Sequence, residues 1–147
     1  TTDVVRFSLN TRMDMTGWSF GKRFLRSLCD FDPRFVPERV GHGERRTAPF
    51  AGIDDCESLW ASPIEYRMGD LRWDSFEQFW WRRSHTIRAL GCVEHTRRGG
   101  PLNKLLPGTV VCDFAPSARV DWRGFFRQRC ELCAPIFAML HWFTQME

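Results

Sequence analysis

The spacing of the apolar residues changes period once, early in the chain, and that change restricts the fold more than any other feature. In "DVVRFSLNTR", residues 3–12, apolar and polar positions alternate from Val4 to Leu9. Alternation sends successive side chains to opposite faces of a strand, and Val and Phe favour that state. From Trp18 the apolar positions Phe20, Phe24, Leu25 and Leu28 recur at helical spacing, with Lys22, Arg23 and Arg26 on the other side. That is the pattern of an amphipathic helix. Neither element can bury its apolar face alone, so a strand followed by such a helix calls for a layered domain.

The remaining segments extend this reading. Pro33 disfavours helical geometry at Asp32, so "DFDP" ends the first helix. Residues 33–53 hold three prolines and three glycines without steady periodicity; they read as a long surface loop of the kind that is more often functional than idle. "DDCESLW", residues 54–60, reads as a short helix started by Asp54 or Asp55 and ended before "SP" at 62–63. "DSFEQFWWRRSH", residues 74–85, reads as a further helix, with Asp74 as N-cap and Glu77 three residues on. "IRALGCVEHT" and "GTVVCDFA" read as two strands joined by "RRGGPLNKLLP". A closing helix starts near Asp121, with Trp122, Phe125, Phe126, Cys133, Ile136, Phe137 and Leu140 as its apolar face, and Pro135 kinks it. The expectation is a single α+β domain over residues 1–147, a small antiparallel or mixed sheet packed against three or four helices. The Thr1 start, without an initiator Met, reads as a trimmed chain or one domain of a longer protein.

Composition narrows the class. With 147 residues, 43% hydrophobic and 14% aromatic, the chain can bury a core and is far from a disordered composition. No apolar run approaches the roughly 18–20 residues of a membrane-spanning helix, and no signal peptide is visible at the start. The net charge of +3 is local: residues 67–104 carry eight basic and four acidic groups, whereas the flanking segments are nearly balanced. Nineteen of the 21 basic residues are Arg, which reads as the bias of a GC-rich genome more than as a phosphate-binding surface. Six cysteines without a secretion signal read as reduced thiols in a cytoplasmic protein.

"QRCELCAPIFAMLHWFT", residues 128–144, raises the question of chemistry directly. Cys130 and Cys133 have the spacing of half a zinc site, but structural zinc takes four ligands, usually as two pairs brought together by turns. Cys92 and Cys112 stand alone on expected strands, and His141 is about two helical turns from Cys133. A redox CxxC opens a helix, where the dipole lowers the thiol pKa; this one sits late in one. None of the six cysteines is embedded in a local signature of a Cys–His nucleophile, and no glycine-rich phosphate loop occurs. The stretch therefore reads as core, with Cys130 and Cys133 structural and His141 a buried or half-buried structural histidine. No metal, no cofactor and no catalytic residue is expected.

Two surfaces remain as candidates. One is acidic: Asp54, Asp55 and Glu57 beside Trp60, directly after the long loop. Neighbouring acids at a helix start are most often capping groups, and the plain alternative is a solvated connection. The other is the Trp81, Arg82, Arg83 surface of "FWWRRSHTIR", where adjacent Trp80 and Trp81 cannot both face one core line. Trp and Arg are enriched at interface hot spots and also stack bases and hold phosphates. The plain alternative there is one Trp in the core, one along the sheet edge, and solvated arginines. A nucleic-acid-binding or defence-associated domain would use Arg82, Arg83, Arg88, Arg97 and Arg98.

The combination of "LRSLCDFDPRF", "LPGTVVCDF" and the closing "LCAPIFAMLHWFTQME" resembles bacterial immunity proteins. These are the antidotes encoded beside toxins of polymorphic and type VI secretion systems, in the group that accompanies restriction-endonuclease-fold toxins. The resemblance is spread over much of the chain and transfers no individual functional residue. It implies a cytoplasmic, non-enzymatic α+β domain that binds and blocks one cognate toxin or effector, a nuclease among the candidates. Inhibitors of nucleases tend to be acidic and this chain is mildly basic, but steering depends on the local field, which Asp54, Asp55 and Glu57 make negative.

Overall fold

The computed structural model describes residues 2–99, 102 and 104–145. Its frame is a seven-stranded sheet of strands β1 (Thr2–Thr11), β2 (Arg39–Gly43), β3 (Arg46–Pro49), β6 (Phe79–Arg83), β7 (Ala89–Glu94), β10 (Gly108–Phe114) and β11 (Phe137–Gln145). Their spatial order is β11-β1-β10-β7-β6-β2-β3, and every neighbouring pair is antiparallel. Two hairpins stand apart from it, β4 (Pro63–Met68) with β5 (Leu71–Phe76), and β8 (Arg97–Gly99) with β9 (Lys104–Leu106). Helices α1 (Trp18–Phe31) and α3 (Trp122–Cys133) and the single turn α2 (Glu57–Trp60) all pack on one face of the sheet.

The core follows from the alternation of each strand. Val5, Phe7 and Leu9 of β1, Val110, Cys112 and Phe114 of β10, Ala89 and Val93 of β7, and Phe79 and Trp81 of β6 are buried under the helices. From above, α1 contributes Phe20, Phe24, Leu25 and Leu28, and α3 contributes Phe125 and Cys133. The aromatic rings meet mostly edge-on or tilted, as Phe7–Phe125 at 5.6 Å and Phe24–Trp81 at 5.8 Å do, the arrangement ring quadrupoles favour. Gly91 makes room for Trp81: a Cβ there would lie 2.1 Å from the indole. The opposite face of the sheet carries no helix among the described residues and holds mixed side chains, including the Arg6–Asp113 pair at 2.7 Å.

The expected small sheet against three or four helices is therefore wrong in proportion: strands dominate, and among the described residues only α1 and α3 exceed one turn. The first departure is 74–85. Its capping-box pattern is overruled by Phe79 and Trp81, which alternate with Trp80 and Arg82 and bury one face between β7 and β2; aromatic residues gain most on a pleated, half-buried surface. The second is the closing segment. Ala134 takes a left-handed conformation (φ 45°) and its N–H caps Cys130, so α3 stops there. Pro135 thus follows a helix end, where proline is common, and kinks nothing. What remains becomes β11, held by β1 along its whole length. His141, expected in the core of a helix, is exposed on this strand, its ring 4.6 Å from that of Phe143. The supposed long loop contains the β2–β3 hairpin.

Candidate functional site

The acidic group sits on a firmly seated base. Asp54–Cys56 form a 3₁₀ turn that runs into α2, and Cys56 and Trp60 point inward while Asp54, Asp55 and Glu57 are exposed. Trp60 is 1% exposed, wedged against Phe79 at 5.1 Å and Phe24 at 5.5 Å, and its Nε1–H donates to the carbonyl of Met15 at 2.7 Å. Gly21 of α1 lies directly against the indole. Asp54 pairs with Lys22 across to α1 at 2.9 Å, which holds its carboxyl below the ordinary range. The three carboxylates are thus brought together on the surface. Trp60 is not their neighbour in any interface, because it belongs to the core.

The arginine surface divides in the same way. Trp81 is 1% exposed and is core, so it cannot anchor a partner; strand alternation brings Trp80 to the other face, half-buried, its Nε1–H donating to Gln78 at 2.9 Å. Arg83 is occupied inside the chain, donating to the carbonyls of Val36 at 3.1 Å and Thr86 at 2.9 Å. Arg82 reaches the carbonyl of Glu44 at 3.3 Å. With Arg88 these two line a small cleft of about 190 Å³, but Asp3, Glu44 and Asp113 line it too. Arg97 lies elsewhere, 3.7 Å from Glu94, and the side chain of Arg98 is outside the described residues. Cations interleaved with carboxylates do not form the continuous positive track that phosphates need.

Sequence reasoning passed over a third place, a polar cleft of about 240 Å³ where β2, the β4–β5 hairpin and the end of β7 meet, lined by His42, Tyr66, Glu77, Glu94, His95 and others. The signal was present: "IEYRM" and "LRWDSF" alternate on either side of Gly69, whose φ of 61° suits a tight turn. The chemistry of the cleft is mostly structural. Ser62 lies 3.1 Å from His42 Nε2 and close to the carbonyl of Ser58. A hydroxyl proton shared with a backbone carbonyl leaves the oxygen to accept from His42, the reverse of what an activated serine requires.

His95 is 3% exposed and donates through Nε2–H to the carbonyl of Trp60 at 2.6 Å, while Nδ1 has no partner among the described residues. Burial pushes its pKa below the ordinary value, opposed by that hydrogen bond and by Asp14. A depressed histidine pKa means that protonation favours the unfolded chain. Stability should therefore be level above the ordinary imidazole pKa of about 6.5 and fall as pH drops below it. Urea midpoints at neutral and mildly acidic pH test this; His95→Gln should flatten the decline, and an unchanged slope in that variant would assign the decline to other groups.

The cysteines are all free thiols. Burial pushes Cys29, Cys56 and Cys133 up to about 11 and Cys92 up to about 12, and raises Cys112 and Cys130 as well. Nucleophilic and metal-binding cysteines act as thiolates, which these environments disfavour. Cys130 and Cys133 lie on the last turn of α3, where the helix dipole also opposes negative charge. Among the described residues, no three His, Cys, Asp or Glu side chains gather as a metal site, and no helix is long and apolar enough to cross a membrane. No family model, curated protein or solved structure matches the chain.

Proposed function

We propose that the chain is a non-catalytic, protein-binding domain of the immunity type, acting in the cytoplasm by binding and neutralising a cognate bacterial toxin through Asp54, Asp55 and Glu57. One observation carries the reading: three carboxylates are held outward on a helical turn whose other side, Cys56 and Trp60, is locked into the core. A rigid acidic knob suits the cation-lined cleft of a toxin that handles nucleic acid, because complementary charge steers the encounter and fixes the register. The protonated thiols and the inverted Ser62–His42 geometry add nothing that calls for catalysis.

The test is charge reversal against a cognate toxin, sought first as the product of the gene immediately upstream. Asp55→Lys with Glu57→Lys should weaken binding by about 2–5 kcal/mol if the carboxylates pair with desolvated cations, and should leave the urea midpoint near that of wild type, since both side chains are exposed. Arg82→Glu with Arg88→Glu should bind normally. The opposite pattern would move the contact to the arginine cleft, and DNA or RNA affinity with a steep salt dependence would favour the nucleic-acid reading instead.

A further inference from the structure

The two edges of the main sheet are built differently. β3 is four residues long, carries Arg46 and ends at Pro49, the short, charged, proline-marked form by which edges avoid pairing. β11 is nine residues, "FAMLHWFTQ", without proline, Lys, Arg, Asp or Glu. β1 occupies one flank of it, and no described strand lies on the other. Every second residue of such an edge directs its N–H and C=O outward. Phe137 and Trp142 remain 59% and 52% exposed. They stand on opposite faces, since Phe137 is in register with Asn10 and Trp142 with the buried Val5. Beside the strand, α3 and β11 enclose a cleft of about 700 Å³, floored by Phe126 and Leu140 and rimmed by Arg123, Arg127 and Glu131.

The geometry points to a second copy of this chain as the occupant of that edge: β11 pairs antiparallel with β11 of the partner about a twofold axis perpendicular to the sheet. Self-complementarity argues for a copy over an unrelated strand. A strand without Lys, Arg, Asp or Glu sets no like charges of those residues against its own copy. An axis through Leu140 sets Trp142 opposite the partner's Ala138, large over small and on the helix side, where the indole faces the partner's cleft. On the other side it sets Phe137 opposite the partner's Phe143. Such cross-strand pairs are the unit of sheet stabilisation. The ends of the helix rim are complementary as well, positive at Arg123 and negative at Glu131, with Arg127 between them meeting its own copy near the axis. A twofold runs the two α3 helices antiparallel, so the basic end of each rim meets the acidic end of the other. In isologous contacts each patch serves both partners in this way. The inference is independent of the toxin reading.

Sedimentation of the whole chain over about 1–100 µM tests it, since a dimer dissociates by mass action. Wild type should sediment as a dimer, and Phe137→Lys with Trp142→Lys as a monomer with an unchanged circular dichroism spectrum. Glu131→Arg, which leaves β11 untouched, should weaken self-association by about tenfold or more. Inverting the rim with Arg123→Glu, Arg127→Glu and Glu131→Arg together should restore it. A wild-type monomer throughout the range overturns the proposal. So does a dimer indifferent to the lysine pair, or a Glu131→Arg defect that the inverted rim fails to repair.

Discussion

Trp60→Ala should cost about 3–5 kcal/mol of unfolding free energy, the range for deleting a buried aromatic side chain and leaving part of its volume empty. The indole fills the space between α1, α2 and β6, touching Phe20, Phe24 and Phe79, and its N–H satisfies the otherwise buried carbonyl of Met15. The residue also carries the carbonyl that receives the His95 Nε2–H, so collapse around it would disturb that histidine too. Trp60→Phe separates the contributions. It keeps most of the packing and loses the hydrogen bond, and should cost about 1–3 kcal/mol because the Met15 carbonyl is left unpaired. Denaturant titrations of both variants measure these losses. If Trp60→Ala unfolded no more easily than a surface substitution, the indole would not be core and the acidic knob would lose its anchor.

The second large effect has the opposite sign. Arg129 is fully buried, 0% exposed, and Nε and Nη1 have no hydrogen-bond partner among the described residues. Nη2 is shared by the Ser27 hydroxyl and Gln128, and among the described residues no carboxylate pairs with the guanidinium. Its compensation is aromatic, with the rings of Phe24 and Phe125 at 5.5 and 5.4 Å. Burial pushes its pKa down. Desolvating an ion still costs several kcal/mol after relaxation, whereas each desolvated cation–π contact returns about 2 kcal/mol. With two donors unsatisfied, the balance favours replacement: Arg129→Met, of similar length and without charge, should stabilise the domain by about 1–4 kcal/mol. Arg129→Ala should destabilise it, because a cavity replaces the lost penalty. A marked loss of stability in Arg129→Met would mean that the aromatic pair holds the charge better than this balance allows.

What could be read from the residues alone was whatever one short segment decides by itself. The alternation of Val5, Phe7 and Leu9, the helical spacing of Phe20, Phe24 and Leu28, and the strands around Val93 and Val110 all appear where their patterns put them. The start of α3 was equally legible, because Asp121 caps it through the Gly124 N–H at 2.9 Å, a contact three residues long. The clustering of Asp54, Asp55 and Glu57 needed no tertiary information either. Residues 74–85 and 134–145 were different, because each carries a local pattern compatible with a helix and became a strand through partners outside its own segment. Phe79 and Trp81 are defined by β7 and β2, and β11 by β1, whose residues lie more than 120 positions earlier. The same holds for Trp60 and Trp81, whose side chains suit an interface and a core equally well until α1 closes over them. Strand pairing and burial are set by neighbours that the chain brings together only on folding, and a window of local spacing contains none of them.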